Sequence, residues 1–267
     1  MNAHGPNDNP SAEPSMLTSE QQLLFKTQGI VKLPSAVPKK QTEAAKRFIT
    51  SELERLKLKT GGKLSASKIE ALPHFQQTTR LGQLITTGPW LERLFAPELL
   101  ASMRNVGGLS STAEKPQVQL LLSLPHKAAW SLGGLNWHLD LTPPRNDVVA
   151  GVQAFVLMDD LRARGGGTLA LAGSHRLHYI PEAREDGAQR LLRRDPVLCA
   201  LFNPADIDAE ALFQQRDLCG VPISIVEMCG GAGDVFLMDM RVLHSPSINA
   251  SKNIRMMATA RLIAPTP

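Results

Sequence analysis

Histidine and aspartate two residues apart, His138-Leu139-Asp140, with His244 far downstream, are the residues of this chain whose types and spacing could grip a metal ion. Side chains of an extended segment alternate in direction, so His138 and Asp140 point to one side and can bind together. A second imidazole arriving from a distant strand completes a face of two histidines and one carboxylate. Such a face leaves the opposite coordination positions open, which suits non-haem Fe(II) oxygenase chemistry on the open side.

Something must bring these three residues together, and composition bounds what that can be. The 267 residues are 43% hydrophobic and 20% charged, a balance that supports a buried core and argues against a disordered chain. All-β barrels of this length often form one domain. The aromatics number only Phe 8, Trp 3 and Tyr 1, too few for a platform that stacks single-stranded nucleic acid. The net charge of +4 is scattered apart from Arg190, Arg193 and Arg194 and the stretch from Lys57 to Lys68, which reads as solvated surface and not as a nucleic-acid footprint. Cys199, Cys219 and Cys229 are odd in number and lack Cys-x-x-Cys spacing, so neither a disulfide framework nor a thiolate zinc site is indicated. Neither a leader nor an apolar run of roughly 18 residues is present, so the expectation is a cytoplasmic protein outside the membrane.

Residues 1–16 are rich in Asn, Pro and Ser and read as a disordered tail, leaving 17–267 as one domain. Thr18 to Gln21 form a capping-box pattern that opens a helix, and Gly29 closes it. Ile30 to Leu33 reads as a strand. Apolar residues at helical spacing predict a second helix over about 40–58, then a polar loop over 59–68 and short helical pieces over 81–86, 90–95 and 98–103. From Gln117 the texture turns to short β-rich runs at 117–122, 148–158, 168–171, 223–228, 235–238 and 255–262. A helical N-terminal part followed by many short strands predicts a mainly β protein with flanking helices, a jelly-roll barrel. The charged segment 177–220 interrupts these strands, with helix-prone stretches at 182–194 and 208–218, and reads as a lid inserted over a site.

The ordered set Trp137-His138-Leu139-Asp140, Gly166-Gly167-Thr168-Leu169-Ala170-Leu171-Ala172-Gly173-Ser174-His175, Gly233-Asp234-Val235-Phe236, His244 and Arg255 resembles the phytanoyl-CoA dioxygenase superfamily. The resemblance covers about residues 17–263. It implies a cupin-like double-stranded β-helix carrying an Fe(II)/2-oxoglutarate-dependent oxygenase, with His138, Asp140 and His244 as iron ligands and catalytic centre. It also implies that Arg255, eleven residues after His244, holds the distal carboxylate of 2-oxoglutarate, for which a guanidinium fork is well matched. Arg261 lies on the same strand face and is the fallback. Where the family often has a serine two residues after the distal histidine, this chain has Pro246, and Ser247 or Thr168 is expected to supply the missing hydroxyl. Gln119 resembles a polar residue facing the co-substrate or the substrate, and reads equally well as an outward strand glutamine. Asn249 reads as a turn former and His175 as a hydrogen-bonding loop residue, while His126 and His178 read as structural or surface residues.

The resemblance implies oxidation of a small molecule with O2 as oxidant and succinate and CO2 as products, most simply hydroxylation of an unactivated C–H bond. Asp140, where a small residue would leave room for chloride, argues against halogenation. The alternatives are a metal-binding barrel without turnover, which Pro246 alone favours, and a metal oxygenase or isomerase that does without 2-oxoglutarate, against which Arg255 argues.

Overall fold

Strands buried on both faces carry the barrel, and the alternation along them assigns each residue to one of two cores. The computed structural model describes residues 17–60, 63–64, 83–85, 87–110, 116–127, 129–183, 187–203 and 209–265. The strands are β1 (Ile30–Leu33), a small hairpin of β2 (Lys59–Thr60) and β3 (Lys63–Leu64), β4 (Gln117–Ser123), β5 (Gly151–Leu157), β6 (Thr168–Ala172), β7 (Arg216–Leu218), β8 (Val221–Glu227), β9 (Val235–Asp239), β10 (His244–Pro246) and β11 (Arg255–Ile263). They form an antiparallel five-stranded sheet in the order β1-β9-β5-β11-β4 and a four-stranded sheet in the order β10-β6-β8-β7. This is the jelly roll expected from the sequence.

On β5, Val152, Ala154 and Val156 face outward into a core shared with the helices, whereas Phe155 and Leu157 face inward. On β11, Ala258, Ala260 and Leu262 join the outer core and Met257 the inner one. Period-two alternation therefore sends Gln153, Arg255, Thr259 and Arg261 to the inner face as well, the only side chains of these two strands there that can do polar chemistry. The outer face is covered by α1 (Ser19–Gln28), α2 (Lys39–Arg55) and the helix Pro97–Gly107, through Phe25, Ile49, Leu53, Leu99 and Met103. The capping box is present: Gln21 N–H donates to Thr18 Oγ1 at 3.2 Å, Thr18 N–H donates to Gln21 Oε1 at 2.9 Å, and Gly29 ends the helix at φ 73°. The second helix stops earlier than expected because Lys57 turns left-handed at φ 57° just past it.

The segment between β6 and β8, where the sequence suggests a lid, is built of short helical pieces. It holds the short helix Ser174–Leu177, the helix Ala188–Arg194, the 3-10 turn Leu198–Phe202 and the helix Ala209–Phe213, and it ends in β7 where the sequence predicts a helix. Leu177, Leu192, Leu198, Leu201 and Leu212 pack with Leu169, Leu171, Ile223 and Ile225 on the outer face of the four-stranded sheet. The described part is thus a packed buttress, because its charges sit on one side of an amphipathic layer whose other side is leucine. The tail 1–16, residues 61–62 and 65–68 of the expected loop, residues 81–82 and 86 of the expected helical piece, and residues 184–186 and 204–208 within this segment lie outside the described residues.

Candidate active site

His244 enters the barrel on β10, whose backbone pairs with β6 so that His244 stands opposite Ala170. Its other edge pairs with an isolated residue, His138: His138 N–H donates to the His244 carbonyl at 2.9 Å and His244 N–H donates to that of His138 at 3.0 Å. Main-chain atoms thus bring the two imidazoles together, with ring centroids 4.4 Å apart. Each ring is oriented by its own backbone: Nδ1 of His138 lies 2.8 Å from the Asn136 carbonyl and Nδ1 of His244 lies 3.1 Å from that of Val242. Only the Nδ1–H tautomer can make these bonds, which leaves both Nε2 lone pairs free for a metal. Burial pushes the His244 imidazole down to about 4, although the Asp140 carboxylate works the other way, so at neutral pH this ring is uncharged and able to ligate.

Asp140 closes the triad. Its Oδ1 is 3.7 Å from His138 Nε2 and its Oδ2 3.7 Å from His244 Nε2, and one ligand atom from each residue falls within 4.8 Å of the others. The donor set of two neutral imidazoles and a carboxylate fits a divalent first-row metal such as iron.

Beside the triad lies a cavity of about 180 Å³ lined by Gln119, Leu121, His138, Gln153, Phe155, Thr168, His244, Pro246, Arg255 and Arg261. That is smaller than the roughly 300–1,000 Å³ of pockets for drug-sized ligands and suits a small acid. Arg255 is 3% exposed, and its Nε and Nη2 have no hydrogen-bond partner among the described residues. Its one polar contact among the described residues is Nη1 to Met257 Sδ at 3.3 Å. Burial without a counter-ion pulls this guanidinium down to about 10. A charge held this way costs free energy unless an anion joins it.

The remaining sequence-derived candidates separate. Thr168 and Gln119 line the cavity, and Thr168 stands directly across the strand pair from Pro246, where a hydroxyl is wanted. Ser247 does not join them: it is fully buried and donates to the Gly167 carbonyl at 2.7 Å, locking the turn after β10. Arg261 meets Asp140, with Nε 3.1 Å and Nη2 3.0 Å from Oδ2. Asn249 forms the expected turn through Ser251 and Asn253 and also donates to the Ser123 carbonyl at 3.0 Å, which fixes the connection from His244 to Arg255. His175 Nε2 lies 3.2 Å from the Lys26 carbonyl, away from the metal triad.

Three further supports are not legible in the sequence. Gln153 reaches Asp140 from β5, and its only sequence signal is an amide in an otherwise apolar run. Ser174 Oγ accepts from Leu243 N–H at 2.8 Å and pins the residue before His244. The tight turn that delivers Ser174 needs glycine at position 173, where φ is 86° and a β-carbon would collide with the Pro222 carbonyl. Buried Arg241 joins Asp239, at the end of β9, to Asp147 in the loop after Asp140, at 2.7 Å to each, and so couples the segments that carry Asp140 and His244.

The family model described as phytanoyl-CoA dioxygenase (PhyH) matches residues 25–257. No curated protein matches the chain. Among solved structures, the non-heme alpha ketoglutarate dependent carbocyclase SnoK from nogalamycin biosynthesis is similar with TM-score 0.58 and 18% identity, over 93% of this chain and 85% of that one. HygX from Streptomyces hygroscopicus with nickel and 2-oxoglutarate bound gives TM-score 0.54 and 19% identity over 93% and 88%. EvdO2 from Micromonospora carbonacea var. aurantiaca complexed with 2-oxoglutarate gives 0.56 and 15% over 94% and 92%. At such identities the likeness is one of fold.

Proposed function

Because the chain belongs to the phytanoyl-CoA dioxygenase family, we propose that it is an Fe(II)- and 2-oxoglutarate-dependent oxygenase that hydroxylates an unactivated C–H bond of a small molecule. The observation that carries this reading is Arg255: a buried cation with two unpartnered nitrogens, in the same cavity as the triad. His138 Nε2, His244 Nε2 and an Asp140 oxygen are the metal ligands, and Arg255 takes the distal carboxylate of 2-oxoglutarate through a two-bond fork. Thr168 adds a hydroxyl in place of the one lost at Pro246, and Gln119 adds an amide at the cavity wall.

With 2-oxoglutarate and O2 the metal supplies oxidation of a C–H bond, yielding succinate and CO2. The chain's own part is to bind, orient and keep dry. Leu121, Phe155 and Pro246 line the cavity with apolar surface, which strengthens the electrostatic pull of Arg255 and limits side reactions with water. The solved carbocyclase on this fold is a reason to measure the product as well as turnover. Purified protein loaded with Fe(II) should form succinate from 2-oxoglutarate slowly alone and faster with a true substrate, which gains one oxygen atom per succinate. Product without added oxygen mass overturns hydroxylation. No succinate with any of a broad panel of acids and natural products overturns the oxygenase reading itself.

A further inference from the structure

Asp140 is the one member of the triad held by neither β-strand nor bridge pairing, since β10 carries His244 and main-chain pairing carries His138. Its carboxylate is nevertheless gripped from the large sheet. Arg261 donates to Oδ2 from Nε at 3.1 Å and approaches the same oxygen with Nη2 at 3.0 Å. With its amide turned to satisfy both neighbours, Gln153 donates to Oδ2 at 2.9 Å while its own oxygen accepts from Arg261 Nε at 3.2 Å. Gln153 and Arg261 are direct register partners on β5 and β11, and Thr259, one inward position away on β11, lies 3.0 Å from the Gln153 amide. The opposite amide setting would set oxygen against carboxylate and nitrogen against guanidinium.

We propose that Arg261 and Gln153 are positioning residues that clamp Asp140 by Oδ2 and so present it to the metal through Oδ1 alone. The proposal rests on the metal reading above and deepens it. A carboxylate free to turn could offer both oxygens and occupy one more coordination position, at the expense of the open face. Donors converging on Oδ2 oppose that turn, and they stand on two central, fully paired strands, a stiffer base than the segment Asp140 occupies. The clamp also removes Arg261 from the role of co-substrate anchor: its fork is engaged by Asp140, whereas Nε and Nη2 of Arg255 have no partner among the described residues.

The test uses Co(II) as the probe, without 2-oxoglutarate or turnover. Arg261→Met and Gln153→Leu should each weaken Co(II) binding by about 10- to 100-fold in calorimetry and change the visible ligand-field spectrum of the bound ion. Arg261→Lys should restore affinity only in part, because an ammonium is a point charge and not a planar fork. Gln153→Leu keeps size and charge, so it decides the matter even if an arginine variant fails to fold. Wild-type Co(II) affinity and spectrum in both variants overturn the clamp. So does an Arg261 variant whose metal binding is intact while its 2-oxoglutarate constant rises, which would make Arg261 a co-substrate residue. If the wild-type protein itself takes up no Co(II), the metal reading falls and the clamp falls with it.

Discussion

His138→Ala, Asp140→Ala and His244→Ala should each give a folded protein that retains no stoichiometric iron and releases no succinate. Each substitution removes one of the three proposed ligands, so the loss should exceed the roughly 10- to 100-fold expected for an outer residue such as Arg261 or Gln153. The fold should survive because the His138–His244 pairing is made by main-chain atoms, which alanine keeps. His244 is the most buried of the three, and its removal costs the most stability through the cavity left behind. Iron content by elemental analysis, read beside a circular-dichroism spectrum, checks the result. A variant that keeps full iron and near-native turnover removes its residue from the triad.

Arg255→Met should act with opposite signs on the two things it touches. Losing a charge-assisted fork to a buried carboxylate costs about 2–4 kcal/mol, on the order of 30- to 1,000-fold in the constant for 2-oxoglutarate. Stability without ligand should rise. Burial disfavours the charged form and pulls the folded-state value of this guanidinium down to about 10, well below its ordinary value. At neutral pH it is charged both folded and unfolded, so the penalty is present in full, on the order of 3 kcal/mol. Methionine of similar reach removes it. Conversely, 2-oxoglutarate should stabilise the wild-type protein by mass action and do little for the variant. Thermal unfolding with and without 2-oxoglutarate reads both halves. A variant with unchanged melting temperature and unchanged 2-oxoglutarate response shows that Arg255 anchors nothing.

The parts of this site that are legible in the sequence are those fixed by short spacings along one strand. His138 and Asp140 share a side by period two, and Arg255 and Arg261 share the inner face of β11 for the same reason. Choosing between the two arginines requires their partners: Asp140 takes one, while Nε and Nη2 of the other have no partner among the described residues. Ser247 misleads because a hydroxyl near His244 looks available in sequence, while the backbone turn sends it to the Gly167 carbonyl. Gln153 stays hidden because β5 is buried throughout, and a run buried on both faces does not reveal which side its amide will serve. The charges of the segment 177–220 suggest a lid, and what they do not reveal is that leucines of its described part pack on the outer face of the small sheet.

One anaerobic titration tests the site most directly: Fe(II) protein with 2-oxoglutarate, followed by visible absorption. If the triad holds the metal and Arg255 holds the acid beside it, a weak metal-to-ligand charge-transfer band should grow to one equivalent of 2-oxoglutarate. It should be absent from His138→Ala and saturate only at much higher concentration in Arg255→Met. A protein that binds Fe(II) but develops no such band at saturating 2-oxoglutarate would contradict the account.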